Sequence, residues 1–351
     1  MTAPAAESDP PIRVAGVGAG YFSRFHYDSW ARMLGAVPVA ACDRDIAHAR
    51  ATGLPAFDDL PRMLAEVRPD LLDIILPPAG HAETIRAALA AGIKHMICQK
   101  PFCLKPDEAH AITAEAEAAG ALLVVHENFR FQPWYRAIKA ALDNGLVGEL
   151  QQATFRLRPG DGQGPDAYMT RQPYFQRMER FLIHETGVHW IDTFRFLMGA
   201  PTHVYADLRR LNPAIRGEDA GLAIFDFPGG VRALFDGNRH LDHAADNLRR
   251  TMGEALFEGT GGTLTLNGDG SVRLRRFAEI EDEVLLPANT WTGFGGDCVH
   301  ALQSHVIAAL RGAGALENTA RDYLPVLGIE QALYSSAETG RKIALSTGGT
   351  S

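Results

Sequence analysis

The chain has 351 residues, 46% of them hydrophobic and 22% charged, with a formal net charge of -8. That length exceeds what one hydrophobic core usually supports, so two domains are expected. The acidic balance excludes a protein that wraps a nucleic-acid backbone, which needs clustered Lys and Arg to displace counterions, and leaves a small molecule as the expected partner.

The stretch from Met1 to Pro11 is polar, lacks basic residues and has no apolar h-region, and no later run is long and apolar enough to cross a bilayer. Four cysteines, Cys42, Cys98, Cys103 and Cys298, lack CxxC spacing, and three fall in or beside apolar runs where cysteine packs as a small hydrophobe. A soluble cytoplasmic enzyme with reduced thiols is the expectation, without a membrane partner.

From Pro11 to about Asn128, short apolar runs alternate with helical stretches, the pattern of parallel βαβ units. Strands are expected at Ile12 to Val17, Val37 to Cys42, Leu71 to Leu76, Lys94 to Cys98 and Ala121 to His126. Helices are expected at Tyr21 to Leu34, Leu60 to Val67, His81 to Ala91 and Pro106 to Ala119, the last opening on a proline and closing at Gly120.

Beyond Arg130 the texture changes. A helix from Pro133 to Asn144 closes at Gly145 and is followed by β-like segments: Leu150 to Arg158, Thr202 to Arg209, Leu222 to Phe227, Val231 to Gly237, Glu254 to Glu258, Thr263 to Leu266 and Val272 to Arg276. Turn signals such as Pro228-Gly229-Gly230 and Asn267-Gly268-Asp269-Gly270 join them, which predicts a mainly antiparallel open sheet. Helices are expected at Phe181 to Met198, Asp297 to Leu310 and Thr319 to Ile343, and a loop from Pro159 to Pro173. The fold class is therefore α/β, an N-terminal doubly wound domain over 11–128 and a C-terminal α+β domain over 129–351.

Directly after the first strand stands Gly18-Ala19-Gly20-Tyr21-Phe22-Ser23, a G-x-G-x-x-small fingerprint. The first glycine allows the tight turn, the second lets the backbone approach a pyrophosphate, and the third position need only be small enough for helix to pack on strand, which Ser23 satisfies. Amides at the start of the next helix then point at phosphate, where the helix dipole also favours negative charge. Asp43 ends the second strand about 20 residues later, where an acid hydrogen-bonds the adenosine ribose. This is the Rossmann arrangement for a dinucleotide. Asp43 favours NAD over NADP, while Arg44 beside it could pair with a 2'-phosphate and keeps NADP open.

At Leu76-Pro77-Pro78-Ala79-Gly80-His81, Gln99-Lys100-Pro101 and Glu185-Thr186-Gly187-Val188-His189, together with the glycine fingerprint, the chain resembles the Gfo/Idh/MocA oxidoreductases over nearly its whole length. That family usually shows Thr-Pro-x-x-x-His, Glu-Lys-Pro and Asp-x-x-x-His there, so Leu76, Gln99 and Glu185 are departures. The resemblance implies hydride exchange between nicotinamide C4 and a carbon of a sugar or cyclitol. Such a reaction needs a base and a group that stabilises alkoxide character. Lys100, after a parallel strand and before an expected cis bond to Pro101, is the expected hydrogen-bond donor to the reacting oxygen, and His189 the general base. Glu185, four residues before His189 on one helix face, is expected to orient the imidazole or bind a substrate hydroxyl, with Asp192 one turn further along.

The cofactor set read in this way comprises Gly18, Gly20, Tyr21, Phe22, Ser23, Asp43, Arg44, Leu76, Pro77, His81, Gln99, Lys100 and Asn128. Substrate contacts are expected from Lys100, Arg130, Arg158, Tyr168, Glu185 and His189, with His126, Gln172 and Tyr174 as softer candidates, and His240 and His243 as surface residues. A zinc motif fails because His184 and His189 are five apart rather than four, so no metal is expected. The Gln99-Lys100-Pro101 and His126-Glu127-Asn128-Phe129-Arg130-Phe131-Gln132-Pro133-Trp134 variants point within the family to small sugars such as the branched pentose apiose. Two rival functions share the architecture, a redox-neutral lyase using NAD transiently and a non-catalytic sugar or dinucleotide sensor. The exposed sheet face of the second domain is expected to be apolar and covered in a homodimer or homotetramer.

Overall fold

The computed structural model describes residues 10–345 and divides into two compact units. The first holds the described residues up to His126 together with Val299–Asp322; the second holds Glu127–Cys298 and the chain from Tyr323 onward.

In the first unit, β1 (Ile12–Val17), β2 (Ala36–Cys42), β3 (Ala56–Phe57), β4 (Leu71–Ile74), β5 (His95–Gln99) and β6 (Leu122–His126) form one sheet in the order β3-β2-β1-β4-β5-β6. Every pairing is parallel. Its strands are apolar on both faces because helices cover both, and Val14, Ala15, Ala40, Leu72, Ile74, Ile97 and Val124 are all buried. The helices are α1 (Ser23–Ala31), α2 (Ile46–Ala51), α3 (Leu60–Val67), α4 (His81–Ala90) and α5 (Pro106–Ala118). Asp45 and Asp59 cap α2 and α3 by accepting from Ala47 and Arg62 amides. The two-residue β3 and the single-turn-scale α2 went unread in sequence because neither is long enough to show a period.

In the second unit, α6 (Pro133–Asp143), β7 (Leu150–Leu157), α7 (Val188–Met198), β8 (His203–Arg209), β9 (Ala220–Asp226), β10 (Arg232–Asn238), β11 (Gly253–Gly259), β12 (Gly262–Leu266), β13 (Val272–Arg276) and β14 (Asp282–Leu286) follow in turn. After α8 (Cys298–Leu310) and α9 (Ala320–Thr339), β15 (Ile343–Ala344) closes a nine-stranded sheet in the order β14-β13-β12-β11-β7-β10-β9-β8-β15. The sheet is mostly antiparallel, as the turn signals predict, with one parallel pairing between β7 and β10. On one face Trp190 of α7 stacks on Phe155 of β7 with ring centroids 4.1 Å apart, and Phe194 meets Phe225 of β9 edge-on.

The compact units divide differently from the sequence-expected domains at one place, where Val299–Asp322 groups with the first unit. Gln303 donates to Asp73 of β4, Arg311 donates to the Gly35 carbonyl, and Thr319 bridges to Val124 of β6. These contacts are polar and distant in sequence, so hydrophobic periodicity carried no sign of them. No helix among the described residues is long and apolar enough to cross a membrane.

Trp190 is fully buried and its indole N–H donates to the Tyr135 hydroxyl at 3.0 Å. Trp190→Ala is expected to cost about 3–5 kcal/mol through the cavity it leaves. Denaturant unfolding followed by circular dichroism measures this; a loss below about 1 kcal/mol would place the core of the second unit elsewhere.

Candidate active site

A parallel sheet brings all its strand C-termini to one edge, and that edge in the first unit carries the dinucleotide candidates. Gly18 leaves β1 with φ +101°, and a Cβ there would lie 2.4 Å from the Ile75 carbonyl oxygen. Its amide donates to the Cys42 carbonyl, and its own carbonyl accepts from the Tyr27 hydroxyl. Gly20 has open space where a Cβ would point, and the first turn of α1 has no side-chain cap. Ser23 is buried and its hydroxyl donates to the Gly20 carbonyl at 2.7 Å, which answers the requirement for a small third position. Phe22 caps α1 with its backbone, and Tyr21 lies under the Arg24 guanidinium at 4.3 Å.

Asp43 stands just past β2 and turns its carboxylate back onto the glycine loop, accepting from the Ala19 amide at 2.8 Å and from the Asp45 amide at 2.9 Å. Arg44 beside it is exposed. Close backbone approach, uncapped amides and a carboxylate at the adenosine end fit a dinucleotide.

Leu76 and Pro77 lead from β4 into α4, but His81 corrects the expectation that it touches cofactor. It is buried, with one ring nitrogen 2.8 Å from the Phe102 carbonyl oxygen and the other 2.8 Å from that of Leu76. Burial holds its pKa below the ordinary value, against the pull of those two carbonyls. Its role is to tie the loop after β4 to the loop after β5. There Lys100 follows Gln99, the Lys100-Pro101 peptide is cis as expected, and the Gln99 amide oxygen accepts from the Lys100 amide at 2.8 Å.

In the second unit His189 opens α7. Its Nδ1 lies 2.5 Å from Glu127 Oε1, and its ring stacks on Phe129 with centroids 3.7 Å apart and planes within 3°. A carboxylate at Nδ1 fixes the proton there and assigns the imidazole lone pair to Nε2. Glu127 is the partner of the candidate base that sequence reasoning missed. It sits between His126 and Asn128, both singled out, and directly follows β6, which is the signal that could have found it.

The carboxylate seen at His189 Nδ1 is that of Glu127, while Glu185, expected to orient the imidazole or to bind a substrate hydroxyl, has other partners. Leu182–Gly187 forms a π-helical segment before α7, so the four-residue spacing from Glu185 to His189 does not run through a regular α-helix. Glu185 instead accepts from the Thr186 hydroxyl and lies 3.8 Å from Arg239.

Three further substrate candidates are each engaged by partners within the protein. Arg158 is buried, with its guanidinium on the Asp236 carboxylate at 2.5 Å and on the Leu157 and Asp236 carbonyls. Tyr168 is buried against Phe175 and Phe181, and its hydroxyl donates to Asp161 and accepts from Arg239. Burial above all raises its pKa. Arg130 makes a two-pronged pair with Asp192, whose pKa burial raises despite that cation. Asn128, read as a cofactor ligand, donates to Cys298 Sγ at 3.2 Å, and His126 lies tilted against His26 inside the first unit. The Gln172 amide donates to the hydroxyl of the exposed Tyr174, so these two softer candidates do lie together. His243, expected on the surface, is buried between the Arg158 carbonyl and the Thr251 hydroxyl, and His240 bonds Asp219.

Comparison with known proteins accords with this geometry. The family model described as an oxidoreductase family with an NAD-binding Rossmann fold matches 12–127, and the GFO/IDH/MocA C-terminal domain matches 135–265. The chain belongs to the Gfo/Idh/MocA oxidoreductases. It is 34% identical to a D-apiose dehydrogenase of Paraburkholderia graminis over 94% of this chain and 88% of that one. It is 28% identical to a D-apiose dehydrogenase of Rhizobium rhizogenes over 95% and 97%. An oxidoreductase of Agrobacterium radiobacter, solved with NAD+, L-tartaric acid and magnesium, superposes with a TM-score of 0.85 at 27% identity, covering 95% of this chain and 98% of that one. This oxidoreductase therefore uses the nicotinamide chemistry of its family, on an NAD-binding domain.

Gly18→Ala is expected to abolish NADH binding in a fluorescence titration while leaving the circular dichroism spectrum intact, since the new Cβ forces apart the loops after β1 and β4. Undiminished affinity would remove Gly18 from the dinucleotide site.

Proposed function

We propose that this Gfo/Idh/MocA member is an NAD-dependent dehydrogenase of a small sugar, the branched pentose D-apiose or a close analogue, oxidised at a CH–OH carbon. The observation that carries the reading is the His189–Glu127 pair, which presents a base at a fixed ring nitrogen. The likeness to two D-apiose dehydrogenases over more than nine-tenths of the chain supports the substrate class.

The residues that would hold the cofactor are the Gly18 and Gly20 backbone, the first turn of α1 and Asp43. When bound, nicotinamide supplies the hydride acceptor. His189 takes the hydroxyl proton at Nε2, and Glu127 stabilises the imidazolium that results. The Lys100 ammonium donates a hydrogen bond to the reacting oxygen and stabilises its alkoxide character. The carboxylate of Asp43 meets the ribose hydroxyls and disfavours a 2'-phosphate, so NAD is preferred to NADP.

The chain works as a homodimer or homotetramer in the cytoplasm. Four free, buried thiols support that compartment. The open face of the nine-stranded sheet carries a cross-strand row of Tyr205, Ile224, Leu234, Thr154 and Leu256, apolar apart from one threonine, with Leu256 exposed. Such a row on a monomer would leave apolar surface in water, which a second copy covers. Leu256→Arg is expected to lower the mass measured by light scattering to that of a monomer; an unchanged oligomer would place the interface elsewhere.

The function is tested by NADH absorbance with D-apiose against a panel of aldopentoses, aldohexoses and inositols. Turnover with D-apiose and NAD is expected, with His189→Ala and Lys100→Ala each lowering kcat about 10²–10⁴-fold and Glu127→Gln about 10²-fold. Absence of turnover with every panel member, in protein that binds NADH, would overturn the dehydrogenase reading.

A further inference from the structure

Beneath the cofactor edge of the first unit lies a buried polar chain that the reaction as read above does not use. Asp73, on β4, has no solvent exposure. One of its oxygens, Oδ2, accepts from His26 Nδ1 at 2.8 Å, from the Trp30 indole N–H at 2.7 Å and from the Gln303 amide at 3.1 Å. A carboxylate is acceptor only, so the His26 proton sits on Nδ1 and the lone pair on Nε2. Gln99 Nε2 lies 3.0 Å from that nitrogen and donates to it. The same amide turns its oxygen to the Lys100 backbone N–H at 2.8 Å. The chain therefore runs in one donor direction from Lys100 N–H through Gln99 and His26 to Asp73.

The side chain at 99 must donate on one side and accept on the other, which an amide does and a carboxylate does not. This gives a physical account of why glutamine stands where the family usually has glutamate. We propose that Asp73 and His26 are positioning residues for Lys100, acting through Gln99, and that glutamine at 99 is matched to a His26 whose proton Asp73 holds on Nδ1. The role of Lys100 in catalysis rests on the function proposed above; the positioning does not.

The other groups that face His26 are His126 of β6, with ring centroids 4.2 Å apart, Gln303 of α8, and Phe22, edge-on. Tyr27, on α1, senses Asp73, and its hydroxyl is held well above the ordinary range by burial first and that charge second. All are common to the wild type and to variants at 99, so a difference in pH response between them isolates residue 99.

Gln99→Glu keeps the acceptor for Lys100 but sets a carboxylate against the His26 lone pair. A proton restores that contact and its loss breaks it, so this variant behaves as wild type toward lower pH and loses the chain as pH rises. Gln99→Met, close in size and apolar in a nearly buried position, breaks both contacts at every pH. The test is competitive acetylation of the full chain by acetic anhydride without added ligand, with Lys100 referenced to exposed Lys105 by mass spectrometry, from neutral to alkaline pH.

Gln99→Met is expected to raise the relative rate at Lys100 about fivefold, the factor that goes with one lost hydrogen bond. Gln99→Glu should match wild type near neutrality and approach Gln99→Met as pH rises. Wild-type rates in both variants across the range overturn the proposal, and Gln99→Met alone decides it should Gln99→Glu fail to fold. In the NADH assay Gln99→Met is expected to lower kcat about tenfold or more. Lys100→Met separates the two readings: wild-type kcat in that variant removes Lys100 from the chemistry, whereas the acetylation result still judges the positioning.

Discussion

Parallel strands end together, and that single constraint arranges the nucleotide half of this protein. Because β1, β2, β4 and β5 all run the same way, the residues that follow them emerge on one edge of one sheet: the glycine turn, Asp43, the Leu76 loop and Lys100. The edge is polar by necessity, since strand-end carbonyls and helix-start amides meet there with few partners of their own. Asp43 on the Ala19 amide and His81 between two loop carbonyls are local answers to that necessity. The start of α1, which has no side-chain cap, gives that edge backbone amides suited to a phosphate.

Buried charge in both units is arranged so that ions meet specific partners. Arg239 is fully buried, yet it reaches Asp161, the Tyr168 hydroxyl and Thr186, and so fastens the Gly- and Pro-rich loop to the π-helical turn. Burial alone would raise the Asp161 carboxyl, but Arg239 and Arg171 hold it below its usual range. Removing one member of such a group leaves an uncompensated buried charge, so these residues hold the local shape of the second unit. The His189–Glu127 pair differs in kind, because its stacking on Phe129 and its short contact to Glu127 fix one ring nitrogen and define what the other can do.

The π-helical segment Leu182–Gly187 matters for the same reason. It inserts an irregular turn immediately before α7, so that Glu185 and His189, adjacent by a regular helical count, take different partners. The imidazole is held by a carboxylate 62 residues upstream in sequence, from Glu127.

Much of this was legible from the chain alone. Apolar runs of strand length alternating with helical stretches dictate a doubly wound sheet, and glycines, Ser23 and Asp43 at fixed offsets dictate a dinucleotide site, because those requirements are local and steric. Turn chemistry likewise foretold the mostly antiparallel second sheet. Tertiary structure alone decided the partners: that Glu127 holds His189, that Arg158, Tyr168 and Arg130 are engaged by Asp236, Arg239 and Asp192, that Val299–Asp322 returns to the first unit, and that Gln99 links Lys100 to His26 and Asp73. The physical reason is that periodicity and spacing report which face of an element is apolar, whereas a buried polar group takes its partner from whichever distant segment the fold delivers to it.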